Sequence, residues 1–255
     1  MRIRERMGRG VGGPLRRAAM ATGPWTGPLP VLAWAIEHDE GVIVVDTGER
    51  AGVRDAPYAR FEVAPEEEIG PGLRAIGIDP GDVHTVVLTH LHGDHMDGVG
   101  ALPNARVLLS EAEARFAVSP GGRAVCRLTR RPLRPRLPPA AVPFDGPAVG
   151  AFACSRPLTR AGDVVLVPAP GHTPGHAAVL VMGDGPHRLI AGDASYDQAQ
   201  LLDLHVDGVS PKAAVARDTM STIRRHAAAH PTVYLPSHDP GSPARLAASS
   251  VLPER

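Results

Sequence analysis

The sequence predicts an α+β fold of layered sheets with helices outside, and three observations carry that expectation. Short apolar runs of strand length recur along the chain, at Val42–Val45, Val83–Leu88, Val164–Val167, Ala177–Met182 and Val233–Leu235. Segments with helical character, at 65–76, 110–118 and 211–229, separate groups of these runs rather than alternating with each one. With 255 residues, 43% of them hydrophobic, the chain can bury a sizeable core within one domain.

Residues 1–24 read as a disordered basic leader, and 25–255 as the single folded domain. Six arginines fall within residues 1–20, with Met7 and Met20 as alternative starts. Arg16-Arg17 looks like a twin-arginine signal, but Gly23, Pro24, Gly27, Pro28 and Pro30 interrupt what would be its apolar region. The protein is therefore expected in the cytoplasm. Val31–Ile36 and Val42–Asp46 then form a hairpin across a turn containing Gly41. Residues 51–64 show no periodicity. Pro65–Ile76 reads as a helix with Glu66, Glu67 and Glu68 in its first turn. Val83–Leu88 is a buried strand, Val99–Leu102 a helical turn and Ala105–Leu109 a strand. Ser110–Val118 is a helix whose Ser110 and Glu113 form a capping box.

Residues 119–160 carry an Arg/Pro-rich insertion, with five arginines and four prolines between Arg127 and Pro139. That composition suits a surface loop or partly extended segment, with a lid or a dimer contact as the second reading. Strands return at Val164–Val167, Ala177–Met182 and Arg188–Ala191. A helix starts at Ser210-Pro211 and runs to Ala229, followed by a strand at Pro231–Leu235 and a short helix at Ala244–Val251.

Composition excludes several functions. Formal net charge is zero and aromatics are 4%, so nothing marks a nucleic-acid or anionic-membrane partner. No apolar run approaches the ~18 residues of a membrane span. Cys126 and Cys154 read as two buried thiols, not a disulfide framework. Oligomeric state is read as monomer or homodimer.

The chemistry concentrates in Thr89-His90-Leu91-His92-Gly93-Asp94-His95, directly after an apolar strand. Such polar groups beside a buried strand are costly unless compensated, and bound metal would compensate them. His90 and His92, two apart on extended backbone, face the same way and can grip one ion. Asp94 and His95 follow across Gly93, where the chain can turn them toward a second. His172, Asp193 and His238 each follow a strand, as expected if strand ends converge on one site. Imidazole and carboxylate ligands suit two divalent ions, Zn²⁺ first, with Fe, Mn, Co or Ni also fitting. Such a pair would activate water at neutral pH and polarise an ester carbonyl, so hydrolysis needs no Ser or Cys nucleophile.

This set resembles the metallo-β-lactamase-fold hydrolase superfamily, with its His-x-His-x-Asp-His signature and later His, Asp and His. The resemblance runs from Val31 to His238 and takes in Asp46-Thr47-Gly48 and Gly171-His172-Thr173-Pro174-Gly175-His176. It implies an αββα sandwich with a dinuclear site at one edge. By that match His90, His92 and His172 hold one metal, Asp94, His95 and His238 the other, and Asp193 bridges them. A bridging aspartate argues against a true β-lactamase. The short stretch after His238 leaves no room for the flavin domain of the di-iron relatives.

Gly192-Asp193-Ala194-Ser195-Tyr196 is similar to the N-acyl homoserine lactonase branch, and Ser237-His238-Asp239 to its last ligand segment. That likeness implies a quorum-quenching lactonase, with Asp94 and Tyr196 as catalytic residues and a small-molecule ester or lactone as substrate. Tyr196 would donate a hydrogen bond to the lactone carbonyl or to the departing ring oxygen. Two departures stand against it: the spacing from His95 to His172 is longer than in compact lactonases, and residues 51–64 match no acyl-chain pocket. A glyoxalase II-like thioesterase or a phosphodiesterase fits the same seven ligands, and a non-catalytic metal-binding module is the remote alternative. His176 reads as support for the His172 loop. His38, His84, His187, His205, His226 and His230 fit no ligand pattern.

Overall fold

The computed structural model of this chain describes residues 2–5, 24–56, 58–129 and 131–253. Its strands are β1 (Arg2–Glu5), β2 (Leu29–Pro30), β3 (Trp34–Ile36), β4 (Val42–Val45), β5 (Ala59–Glu62), β6 (Val83–Val87) and β7 (Arg106–Ser110). There follow β8 (Ala140–Val142), β9 (Arg156–Pro157), β10 (Val164–Pro168), β11 (Ala177–Val181), β12 (His187–Gly192) and β13 (Thr232–Pro236). The helices are α1 (Ile69–Ala75), α2 (Gly93–Met96), α3 (Glu111–Val118), α4 (Pro120–Thr129), α5 (Gln198–Asp203), α6 (Ala213–Ala229) and α7 (Ser242–Ala247).

Two five-stranded sheets, ordered β3-β4-β6-β7-β8 and β9-β10-β11-β12-β13, form the centre. In the first, β4, β6, β7 and β8 run parallel and β3 is antiparallel. In the second, only β12 and β13 are parallel. Side chains alternate across each strand, which divides the apolar residues between faces. Ile43, Val45, Val87 and Leu108 pack against Leu166, Val179, Ile190 and Leu235 between the sheets. Val44, Val86 and Leu88 point the other way, onto Ile69 and Leu73 of α1 and onto Met96 and Val99. On the far side, Val165, Val167, Leu180 and Leu189 pack against Ala216, Met220 and Ile223 of α6. The result is the αββα layering that the resemblance implies. No helix among the described residues is long and apolar enough to cross a membrane.

Several local readings are corrected. The 65–76 helix is broken: Pro65–Glu67 is one 3₁₀ turn, Glu68 is extended, and α1 begins at Ile69. Pro71 is the physical reason, because in a continuous helix its ring would clash with the carbonyl of Glu67, whereas in the first turn of α1 it is tolerated. The long helix starts at Ala213 rather than Pro211, since Ser210 is held outside it by its N–H and hydroxyl on the Asp207 carboxylate, at 2.7 and 2.8 Å. The 119–160 insertion is no plain loop. It contains α4, and it adds β8 and β9 to the edges of the two sheets. Residues 51–64 contain β5, which pairs with β1, so Arg2–Glu5 pair in a small sheet where a disordered leader is expected. Of that leader, residues 1 and 6–23 lie outside the described residues. Both cysteines are free and half-buried rather than buried.

Candidate metal centre

Parallel pairing of β4, β6 and β7 brings their C-terminal ends to one edge, where β6 runs directly into the histidine motif. The Thr89 carbonyl accepts from Ala177 N–H of β11 at 3.0 Å, which ties the motif to the second sheet. His90 Nε2 and His172 Nε2 then lie 3.0 and 2.9 Å from His92 Nδ1. The short helix α2, starting after His92, swings Asp94 and His95 to the other side. There His95 Nε2 and His238 Nε2 each lie 3.6 Å from Asp94 Oδ2. Asp193 stands between the two groups: Oδ1 is 3.4 Å from His95, while Oδ2 is 3.2 Å from His172 and 3.3 Å from His238. Gly192, at φ +52°, makes this position reachable, because a Cβ there would lie 2.7 Å from His176 Nε2 and 2.9 Å from Thr89 Cβ. All seven ligand-type residues named from the sequence thus meet in one place, and their atoms fall into three candidate ion-binding groups.

Surrounding hydrogen bonds fix which nitrogen of His95 and of His238 faces inward. Asp46 accepts from Thr89 N–H and Oγ1 and from His95 Nδ1, each at 2.8 Å. His238 Nδ1 donates to the Pro30 carbonyl at 2.8 Å. A carbonyl can only accept, so His238 presents the Nε2 lone pair to Asp94 and Asp193. Likewise His176 donates from Nδ1 to the Ala169 carbonyl and accepts at Nε2 from Asp193 N–H, both at 3.0 Å. It supports the centre rather than lining it. His95 Nε2, His238 Nε2 and Asp193 Oδ1 are buried without hydrogen-bond partners. Lone pairs converging on carboxylates at these distances require a proton or a cation between them, which is the demand divalent ions meet.

The electrostatics divide the imidazoles: burial foremost lowers His90 and His92, while the carboxylates, Asp193 first, raise His95, His172 and His238 against burial. Burial pushes the Asp94 and Asp193 carboxyls up, but the facing imidazoles, His95 and His238 foremost, outweigh it and hold both below the usual range. Conversely, burial opposes protonation of His238, yet Asp193 and Asp94 lift it to about 9. His92 is pushed down to about 3 by burial and by His172, and His90 falls likewise, which keeps both neutral as ligands must be.

Tyr196 is buried, with its ring centre 4.8 Å from that of His238 and 5.9 Å from that of His172. Its ring therefore neighbours one histidine from each half of the centre. Sequence reasoning missed three further residues. Asp207 Oδ2 lies 3.9 Å from His172 Nδ1. Glu113 is not the reciprocal partner of a capping box: Ser110 Oγ does accept from Glu113 N–H at 3.1 Å, but the Glu113 carboxylate turns to the ligand loops. Arg131, from the insertion, pairs with Glu49 and Asp97 and covers Gly93, whose space any side chain would take from the guanidinium. An Arg in a Pro-rich stretch carries no signal of such a role, and Asp46 enters the sequence reading only within the Asp46-Thr47-Gly48 match, with no role of its own.

A family model described as the metallo-beta-lactamase superfamily matches residues 26–238. The chain belongs to that superfamily. Among curated members, a "Probable metallo-hydrolase" of Mycobacterium tuberculosis is 36% identical over 182 residues, covering 65% of this chain and 57% of its own length. The chain thus spans little over half of that relative. The N-acyl homoserine lactonase AttM of Agrobacterium fabrum is 25% identical over 228 residues, covering 83% of this chain and 82% of its own length. Among solved structures, an N-acyl homoserine lactone hydrolase with N-hexanoyl-L-homoserine bound at its catalytic metal centre superposes with a TM-score of 0.70. It is 21% identical and covers 95% of both chains, a likeness of fold. AidC, a dizinc quorum-quenching lactonase, gives 0.61 at 16% identity, over 85% of this chain and 74% of its own.

Proposed function

We propose that this member of the metallo-beta-lactamase superfamily is a dinuclear metal-dependent hydrolase that opens lactone rings, with N-acyl homoserine lactones as its substrate class. The observation carrying this reading is Tyr196, buried 4.8 Å from the His238 ring and 5.9 Å from the His172 ring. A phenol there faces a substrate held across both halves of the centre. Relatives named N-acyl homoserine lactonase, at 25–30% identity, support the same choice.

His90, His92 and His172 would hold one ion, Asp94, His95 and His238 the other, with Asp193 shared. When bound, two divalent ions, Zn²⁺ first among them, supply Lewis acidity and activate water at neutral pH. The chain's own residues do the rest. Tyr196 Oη donates a hydrogen bond to the lactone carbonyl or to the ring oxygen as it leaves. The Asp94 carboxylate, through the oxygen not turned to His95 and His238, takes the proton released as water adds to the carbonyl carbon, and returns it to the alkoxide when the ring C–O bond breaks. The product is the open hydroxy acid. Cys126 and Cys154, both free, fit a reducing cytoplasm, and we assign a monomer or homodimer.

The test is a pH-indicator screen of metal-loaded protein against N-acyl homoserine lactones, other lactones, thioesters and phosphodiesters. Lactones are expected to give the highest kcat/KM. A thioester or phosphodiester turned over faster would replace this reading with a glyoxalase II-like or phosphodiesterase one.

A further inference from the structure

We propose that Glu113 is a positioning residue for the His90/His92/His172 half of the centre, and that the opposite half does not depend on it. The proposal rests on the metal reading above. The Glu113 side chain is fully buried on α3, behind the ligands. Its Oε1 accepts from Leu91 N–H at 3.2 Å, and Leu91 lies between His90 and His92. Its Oε2 accepts from Thr173 Oγ1 at 2.7 Å and from Gly175 N–H at 3.1 Å, on either side of Pro174 in the loop that carries His172. One carboxylate thereby holds two loops, far apart in the chain, that bring His90 and His172 each within 3.0 Å of His92. Ser110 Oγ, the cap of the same helix, donates to the Gly175 carbonyl and anchors the second loop to α3.

The chemistry calls for a carboxylate. Three donors converge on Glu113, and no arginine or lysine pairs with it among the described residues. A buried anion with no cationic partner costs stability even when hydrogen-bonded, which a scaffold alone does not need. An anion beside loops that gather cationic charge offsets that cost once ions are bound. His95 and His238 are oriented by different acceptors, Asp46 and the Pro30 carbonyl, which Glu113 does not touch.

Glu113→Gln keeps the shape but has one acceptor oxygen, so its amide NH₂ must face either Leu91 N–H or the Thr173 and Gly175 donors. The experiment measures both ion affinities of the full chain by chelator competition, with Co²⁺ spectra as a second readout. His172→Ala and His238→Ala mark which ion belongs to which half. Glu113→Gln is expected to weaken the His172-dependent ion roughly ten- to hundredfold and to leave the His238-dependent ion at its wild-type affinity. Unchanged affinities, or equal weakening of both ions, would overturn the proposal. If Glu113→Gln does not fold, Thr173→Val removes one donor from the same carboxylate, and a wild-type affinity for the His172-dependent ion in that variant would equally overturn it. A wild-type chain that binds no ions would instead overturn the metal reading itself.

Discussion

Asp46 Oδ2 lies 2.8 Å from His95 Nδ1, deep in the protein, with Asp46 itself at φ +58°. That backbone region suits Asp and Asn and is strained for most other residues. Asp46→Asn therefore keeps the backbone while losing one of the acceptors that serve Thr89 and His95. With the carboxylate gone, His95 is no longer locked with Nε2 inward. The affinity of the ion held by Asp94, His95 and His238 is expected to fall roughly ten- to hundredfold, measurable by chelator competition. Retention of wild-type affinity would show that Asp46 serves only the fold.

Tyr196 offers the sharpest test of the lactone reading. Tyr196→Phe removes only the hydroxyl from a buried ring. Lactone kcat is expected to drop by roughly ten- to a thousandfold, the scale of losing one transition-state donor. Metal content should hold. Unchanged lactone kinetics would remove the main support for this substrate class.

Arg131 tests whether the Arg/Pro-rich segment matters to the centre. Its guanidinium bonds Asp97 at 2.8 Å and Glu49, and stacks 4.9 Å from the Phe61 ring centre. Burial pushes Glu49 up to about 7 even with Arg131 opposing it. Arg131→Ala should cost roughly 1–3 kcal/mol in chemical denaturation, less than a fully buried pair because the guanidinium keeps some access to water. Arg131→Met with Glu49→Gln should recover part of that loss. A single variant as stable as wild type would show that the contact carries no weight.

The histidine motif was legible because strand pattern and ligand chemistry coincide there. His172, Asp193 and His238 were legible as polar residues at strand ends, and the sandwich brings those ends together. Glu113 was misread for a physical reason: Ser-x-x-Glu before an apolar run signals a capping box, and only the tertiary fold supplies the donors at Leu91, Thr173 and Gly175 that outcompete the cap. Pro71 breaking the 65–76 helix was readable from local sterics. The insertion was opaque because β8 and β9 are short edge strands, defined by partners distant in sequence rather than by their own periodicity.

Three histidines that fit no ligand pattern form a second cluster, away from the centre. His226, fully buried on α6, shares a hydrogen bond between its Nε2 and His187 Nδ1 at 3.1 Å, and the His230 ring centre lies 5.0 Å from both. Gly150 presses against its other edge, where a Cβ would come within 2.2 Å of Nδ1. Burial foremost, then His187 and His230, push His226 down to about 4 from an ordinary 6.5. The sign follows from linkage: below about pH 6.5 the unfolded chain takes up a proton at this residue that the folded chain refuses. Its contribution to stability should therefore be intact above pH 6.5, decline as pH falls toward 4, and level off below. Urea denaturation of wild type and His226→Gln at pH 7.0, 5.5 and 4.5 isolates it. The wild type should lose more stability than the variant over that interval, and parallel losses would show that His226 does not set the acid sensitivity.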